Sequence, residues 1–369
     1  MSVFIRIHRK PQLSAFWISE PTKVDAIQSL RATVLASPSP HDPSAPFPLA
    51  ALQFFRIQAI DGDDVVYIRK SETEKHGERA YLNELTGILT TGEQRLDRTS
   101  TGTWSVFGGQ LRFDLRDSVP FLTTKQLAWR TVLKELLWFI RGSTDSKELE
   151  AQGVNIWRAN STREFLDGRG LTEYEEGDIG PMYGHALRHF GAPYTDCHAP
   201  YAGKDQLTDL IQGLKTDPWS RRHLMTTFNP AVLDTCALHP CHGIAIQYYV
   251  STNREDDTKK DLSCHVYCRS QDAFLGRPFN IASYAILTYI VAKLADMAPK
   301  ELIMSTGDLH VYSNHVDQVW EQVSRPPLPF PRLVVSDAIL TKPLEAIGID
   351  DFKLEGYICH PHIHADMAV

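Results

Sequence analysis

Residues 281–297, IASYAILTYIVAKLADM, are apolar around most of a helix circumference, with Lys293 and Asp296 kept to the last turns. A helix of that kind has to be covered on all sides. It is also shorter than the roughly 20 residues that span a bilayer, so the cover is a protein core and not lipid. A chain of 369 residues is long enough to build that core, as one large domain or two ordinary ones. Residues 81–90 and 126–139 repeat apolar side chains at helical spacing, the second segment ending near Gly142. Residues 205–215 form another helix, stopped at Asp217-Pro218. Residues 104–107 and 111–115 read as strands around Gly108-Gly109, and 244–250 and 262–267 alternate as strands. Helices and strands mix without a regular βαβ rhythm, which predicts an α+β fold and not a doubly wound one. Neither GxGxxG nor a P-loop is present.

Upstream of Glu78 the text differs. The stretch SPSPHDPSAPFPL reads as a linker or exposed loop. Residues 23–35 predict a short helix, and LQFFRIQAI and DVVYIRK flank Asp61-Gly62 as a hairpin. Residues 1–75 are therefore expected to be an extension, and 76–369 the main domain. The N-terminus, MSVFIRIHRKPQLSAFW, lacks the apolar core of a secretory signal, which predicts a cytoplasmic protein. Its basic character, with no acid before Glu20, keeps a mitochondrial presequence as the secondary reading. The six cysteines, at 197, 236, 241, 264, 268 and 359, form no CxxC pair, so reduced thiols are expected. Asn160-Ser161-Thr162 matches a glycosylation acceptor, which without secretion is a chance match. The net charge of -7 argues against nonspecific nucleic-acid binding, although it leaves room for a local basic pocket.

Chemistry first shows at Leu238-His239-Pro240-Cys241-His242. A thiolate is a strong nucleophile where nearby positive charge stabilises it. A lone cysteine is more often a small buried hydrophobe, so the pair Cys241-His242 decides nothing by itself. Glu135 lies inside an apolar helix, where burial would raise its pKa toward the range of a general acid/base; an exposed helix face is the equal alternative. Arg221-Arg222 supplies two forks for phosphate, or a solvated helix end. Asn280 offers a donor and an acceptor to a ligand, or caps a turn. His310 and Tyr312, two apart on a strand, share a face, to bind or merely to pack.

The blocks around these residues carry a specific resemblance. Cys268-Arg269-Ser270-Gln271-Asp272, Leu275-Gly276, Pro278-Phe279-Asn280-Ile281-Ala282-Ser283-Tyr284-Ala285 and Gly307-Asp308-Leu309-His310-Val311-Tyr312-Ser313-Asn314-His315 follow one another. Ahead of them stand Asp97-Arg98-Thr99, Pro120-Phe121-Leu122-Thr123-Thr124-Lys125, Glu135-Leu136-Leu137-Trp138-Phe139, Ile156-Trp157, Gly180-Pro181-Met182-Tyr183-Gly184, Arg188-His189-Phe190-Gly191-Ala192 and Arg221-Arg222. From about Glu78 to Met367-Ala368-Val369 this text resembles the thymidylate synthase family, over nearly four-fifths of the chain, with residues 1–75 outside it.

The resemblance implies a single large domain with a mixed β-sheet flanked by helices. It implies a methyltransferase that turns dUMP into dTMP, with 5,10-methylenetetrahydrofolate as one-carbon donor and reductant, without metal or NADPH. Cys241 would be the nucleophile beside His242, Glu135 the proton relay, and Tyr183 the group near the C5 proton. Arg98, Arg269 and Ser270 would hold the phosphate, with Arg221 and Arg222 donated by the partner of an obligate homodimer. These arginines would also lower the pKa of Cys241. Asn280 would select uracil, and His310 and Tyr312 would bind the sugar. Asp272 would hold the pterin. Lys125, Ile156, Trp157, Leu275, Gly276, Phe279 and Val369 would line the folate pocket and its closing tail, with Trp157 walling the intermediate from water. Four places depart from the family text: Ala186-Leu187, where Gln-Trp is usual, Cys268, His239 and Arg158. They keep two alternatives, a deoxyuridylate or deoxycytidylate hydroxymethylase and an inactive nucleotide-binding homologue. The extension reads as a partner-binding segment or the remnant of a fused upstream domain. It is too short for a whole dihydrofolate reductase, so no second activity is expected.

Overall fold

The computed structural model describes residues 76–96, 101–253, 256 and 258–366, together with four upstream strands. These strands are β1 (Ser2–His8), β2 (Leu13–Ser19), β3 (Ile57–Gln58) and β4 (Val65–Ile68), in a sheet ordered β2-β1-β4-β3. β3 and β4 pair antiparallel, as a hairpin requires, and β1 and β4 pair parallel. Asp61-Gly62, the expected helix at 23–35 and the Pro/Ser stretch lie outside the described residues.

The main body begins with α1 (Glu78–Thr91), β5 (Glu93–Arg95) and β6 (Thr103–Asp114). Helices α2 (Trp129–Ile140), α3 (Lys147–Glu150), α4 (Arg163–Gly168), α5 (Tyr183–His189) and α6 (Gln206–Thr216) follow. Then come β7 (Leu224–Met225), β8 (Ala245–Thr252), β9 (Lys260–Asp272), α7 (Gly276–Leu294) and β10 (Ala298–Tyr312). The body closes with α8 (Val316–Ser324) and the hairpin of β11 (Arg332–Val335) and β12 (Phe352–Glu355). A six-stranded sheet runs β5-β6-β10-β9-β8-β7. β9 and β10 are parallel and the other neighbours antiparallel, so the sheet is mixed and the fold α+β.

The apolar helix is α7, the crossover between the two parallel strands. It touches β9 and β10 on one side and α2 on the other, with Ile281, Ala285, Ile286, Val291 and Ala292 all buried. It begins five residues before the apolar run, after a turn held by Asp272, whose carboxylate accepts the backbone N–H of Phe274 (2.8 Å) and of Leu275 (3.2 Å). The two strands expected around Gly108-Gly109 are one. β6 pairs with β10 in unbroken register from Glu301↔Asp114 to Tyr312↔Thr103, and Gly108 crosses the middle at φ +90°. Among the described residues, nothing covers the opposite face of the sheet. Gln247, Tyr249, His265 and Tyr267 are exposed there, and Ser305 accepts or shares bonds with Gln110 (3.0 Å) and His265 (2.9 Å).

A buried carboxylate ties the start of α1 to the chain after β6. Glu78 accepts the backbone N–H of Thr123 (2.9 Å) and Thr124 (2.8 Å) and both threonine hydroxyls (2.7 and 2.5 Å). The C-terminal segment docks on the same stretch, His360 N–H to Thr123 O (2.7 Å) and Arg325 to the carbonyls of Thr124 (2.9 Å) and Pro361 (2.7 Å). Among the described residues, no helix is long and apolar enough to cross a membrane.

Candidate active site

Cys241 sits in the loop before β8, held by its backbone from two directions. Its N–H donates to Tyr183 Oη (3.1 Å), and its carbonyl accepts from Arg269 N (2.9 Å) at the end of β9. Tyr183 Oη also lies 3.6 Å from Cys241 Sγ, within hydrogen-bonding reach of the sulfur. Arg269 donates Nε to Pro240 O and Nη2 to His239 O, both at 2.8 Å, so one guanidinium fastens the nucleophile's loop to the sheet. Gly243 turns the chain behind the thiol at φ +67°; a Cβ there would lie 2.4 Å from Tyr284 Oη.

The expected arginine effect is only part of the thiol's balance. Burial pushes the Cys241 thiol up, the Tyr183 hydroxyl and the Arg269 charge pull it down, and nearby Glu135 raises it. Arg269 thus acts in the expected direction, while burial is the larger effect within the isolated chain and leaves the thiol raised. His242 does not change this. Burial lowers it to about 3, so it stands neutral, with Nδ1 bonded to Tyr284 Oη (2.8 Å) and its ring stacked on Tyr183 at 4.3 Å. It shapes the wall and is not a counter-ion.

Glu135, on α2, is half-buried, but protein atoms crowd its carboxyl and burial raises it to about 7. Among the described residues, its carboxyl accepts from Trp157 Nε1–H alone, at 2.8 Å. Trp157 in turn lies 5.9 Å from the Tyr183 ring and 6.4 Å from Phe139. Asn280, in the second turn of α7, has no side-chain partner among the described residues, and Tyr284 one turn on places the face it shares toward His242. The sequence motif around Asn280 contains Tyr284 without marking its role; the spacing of four from Asn280 is the signal that places both on one helix face.

A second group gathers where β9 runs into α7. Lys125 is buried, donates to Phe274 O and lies 3.4 Å above the Phe274 ring. Burial lowers it to about 7, against the pull of Asp272. Leu275, Gly276 and Phe279 are half-buried at this corner, and Ile156 packs beside Trp157 on the core. His310 and Tyr312 share a face of β10, rings 5.3 Å apart, and His310 Nδ1 bonds Asp308 (3.0 Å). Ser270 follows Arg269 on β9, its N–H 3.5 Å from Cys241 O.

Arg221 and Arg222 lie exposed in the loop after α6, and no ion pair or side-chain bond holds either guanidinium among the described residues. Arg98 and Val369 lie outside the described residues. The departures from the family text are accommodated. Ala186 and Leu187 are 3% and 4% exposed, and Gln206 bonds the Ala186 carbonyl (2.7 Å). Cys268 is fully buried, Arg158 turns outward to Glu150 (2.8 Å), and His239 contributes only its carbonyl.

Against known proteins, the sequence profile described as thymidylate synthase matches residues 79–369. The thymidylate synthase of Homo sapiens is 47% identical over 80% of this chain and 91% of its own. That of Equine herpesvirus 2 (strain 86/87) is 50% identical over 80% of this chain and 99% of its own. The bifunctional dihydrofolate reductase-thymidylate synthase of Zea mays is 47% identical over 84% of this chain but 58% of its own, so this chain spans less than two thirds of that relative. With the profile and the full-length relatives in agreement over the body that holds Cys241, the chain belongs to the thymidylate synthase family.

Proposed function

We propose that this chain methylates dUMP to dTMP, with 5,10-methylenetetrahydrofolate as cosubstrate and dihydrofolate as by-product. The observation that carries the reading is the single cluster of Cys241, Tyr183 and the Glu135–Trp157 pair. Cys241 gives up its proton and its sulfur bonds C6 of the pyrimidine; C5 then carries the electron pair that bonds the one-carbon unit. Glu135, poised near neutrality, takes the C5 proton through water, with Tyr183 at its side. The folate supplies the carbon and then a hydride; sulfur leaves C6 as the methyl group is completed. Asp272 and the buried Lys125 offer the pterin an acceptor and a donor, with Leu275, Gly276 and Phe279 around the ring system. Asn280 reads O4 and N3–H of uracil, and His310 and Tyr312 hold the sugar. The tight burial of Ala186 and Leu187, with Trp157 retained, supports quenching by hydride over water, and so methylation over hydroxymethylation.

The phosphate would meet Arg269 and Ser270 of one subunit together with Arg221 and Arg222 of a second copy. Their unengaged guanidiniums and the open sheet face support a homodimer. Arriving cations would also tip the Cys241 balance toward thiolate. We read residues 1–75 as an appended segment without the chemistry of the body, and the protein as cytoplasmic.

The test is to mix the chain with dUMP and methylenetetrahydrofolate and follow dihydrofolate absorbance. Turnover is expected in the parent and none in Cys241→Ser. Cys241→Ala and Arg221→Ala, each inactive alone, should regain up to about a quarter of parental activity when mixed and allowed to exchange subunits. Tetrahydrofolate with a hydroxymethylated nucleotide would sink the methylation reading, and no recovery on mixing would sink the shared site.

A further inference from the structure

Away from Cys241, three loops bring together a thiol, an imidazole and carboxylates. Cys197 and His198 come from the loop between α5 and α6, Glu175 from the loop before α5, and Asp145 from the turn before α3. Cys197 Sγ lies 3.7 Å from His198 Nε2 and 3.7 Å from Glu175 Oε1, and His198 Nε2 lies 2.7 Å from Glu175 Oε1. Ligand atoms of Asp145, Cys197 and His198 all fall within 4.8 Å of one another.

These separations have a meaning for a tetrahedral ion. With metal–sulfur near 2.3 Å and metal–nitrogen or metal–oxygen near 2.0–2.1 Å, the edges of the tetrahedron are about 3.5 Å from sulfur and about 3.3 Å from nitrogen to oxygen. Two of the three sulfur edges, to His198 and Glu175, are already near that length. The nitrogen–oxygen edge is short by about 0.6 Å, the amount by which a hydrogen bond is tighter than a ligand edge. A carboxylate oxygen of Asp145 lies within 4.8 Å of both the thiol sulfur and an imidazole nitrogen, the approach of a fourth ligand.

The scaffold under the cluster is rigid. Asp178 is fully buried and accepts Cys197 N–H (3.0 Å), Gly180 N–H (2.8 Å) and the Tyr194 hydroxyl (2.6 Å). His198 N–H is fixed by Asp196 (2.8 Å), and Trp138 Nε1–H holds the Asp145 carbonyl (3.1 Å). The ligands therefore sit on backbone that is already ordered.

We propose that Cys197, His198, Glu175 and Asp145 form a peripheral zinc site, distinct from the substrate site and not required for its chemistry. Thiolate with imidazole selects a borderline ion such as Zn2+ over Mg2+ or Ca2+, which want oxygen alone. On binding, the Sγ–H bond is replaced by sulfur–zinc and a proton goes to solvent. His198 binds through Nε2 as the Nδ1–H tautomer, and its bond to Glu175 gives way to shared ligation. One ion then staples three loops whose common support, Asp178 and Gly180, leads directly into Tyr183.

The full chain, freed of metal, is titrated with Co2+ as a spectroscopic stand-in and then with Zn2+ in competition. One equivalent is expected to give thiolate-to-Co2+ charge-transfer absorption and tetrahedral d–d bands. The charge-transfer band should vanish in Cys197→Ser, persist in Cys241→Ser, and need at least tenfold more metal in His198→Ala. Circular dichroism of each variant separates loss of ligand from loss of fold. A band that survives Cys197→Ser, a band lost only in Cys241→Ser, or no band with folded parent protein would each overturn the site.

Discussion

Glu135 shows how one side chain sets stability and reactivity against each other. Its carboxyl titrates near 7 in the fold and near the ordinary 4.5 in the unfolded chain, because burial disfavours the charge. The folded state therefore holds the proton more tightly, and stability falls as pH rises from about 4.5 through about 7, then levels off. The shift corresponds to roughly 3 kcal/mol at most. Glu135→Gln keeps an acceptor for Trp157 and removes the charge. It should unfold at higher urea than the parent at pH 8, match it near pH 4.5, and lose most methylating turnover. Equal urea midpoints at pH 8 would mean that the carboxylate is ionised at no cost. That Glu135 interrupts an apolar helix was legible in the sequence. That His242 is neutral was not, since its state depends on Tyr183 and Tyr284, remote in sequence and stacked or bonded against it only in the fold.

At the level of elements, the corner where β9 becomes α7 is pinned by a residue that the sequence reading passed over. Arg277 is fully buried. It bonds Thr306 on β10 (2.9 Å) and Gln271 on β9 (3.3 Å) and lies 2.8 Å from Glu84 on α1. Removing one partner of such a pair strands the other charge. Arg277→Leu should cost about 3 kcal/mol in urea unfolding, and Arg277→Leu with Glu84→Gln should recover most of it. Equal losses in the single and double variants would show that the ion pair is not what binds α1 to the corner. Periodicity located α1, α2, α6 and α7 to within a few residues, because each buries a continuous stripe. It divided β6 wrongly because a Gly-Gly pair reads as a turn, whereas the long β10 holds both halves in one register. Arg277 escaped notice because nothing local distinguishes a buried arginine from an exposed one; Glu84 lies on another element.

For the molecule as a whole, the decisive feature is the sheet face left uncovered. Tyr249 and Tyr267 are 65% and 41% exposed, on strands whose other exposed positions are polar. Scattered surface aromatics are ordinary, but two on one sheet face, beside the paired Ser263, Glu301 and Arg112, suit burial against a second copy. Tyr249→Glu with Tyr267→Glu should convert a dimer to a monomer in sedimentation velocity and abolish turnover. A double variant that remains dimeric and active would place the interface elsewhere. The family text named Arg221 and Arg222, and the proposed shared site would take them from a second copy, which no single sequence describes. Such sharing has a consequence for gene dosage. On the proposed shared site, where copies are scarce and association incomplete, the working dimer would form in proportion to the square of the chain's concentration. Halving expression then leaves about a quarter of the output, so the supply of product would fall more steeply than the transcript that encodes it.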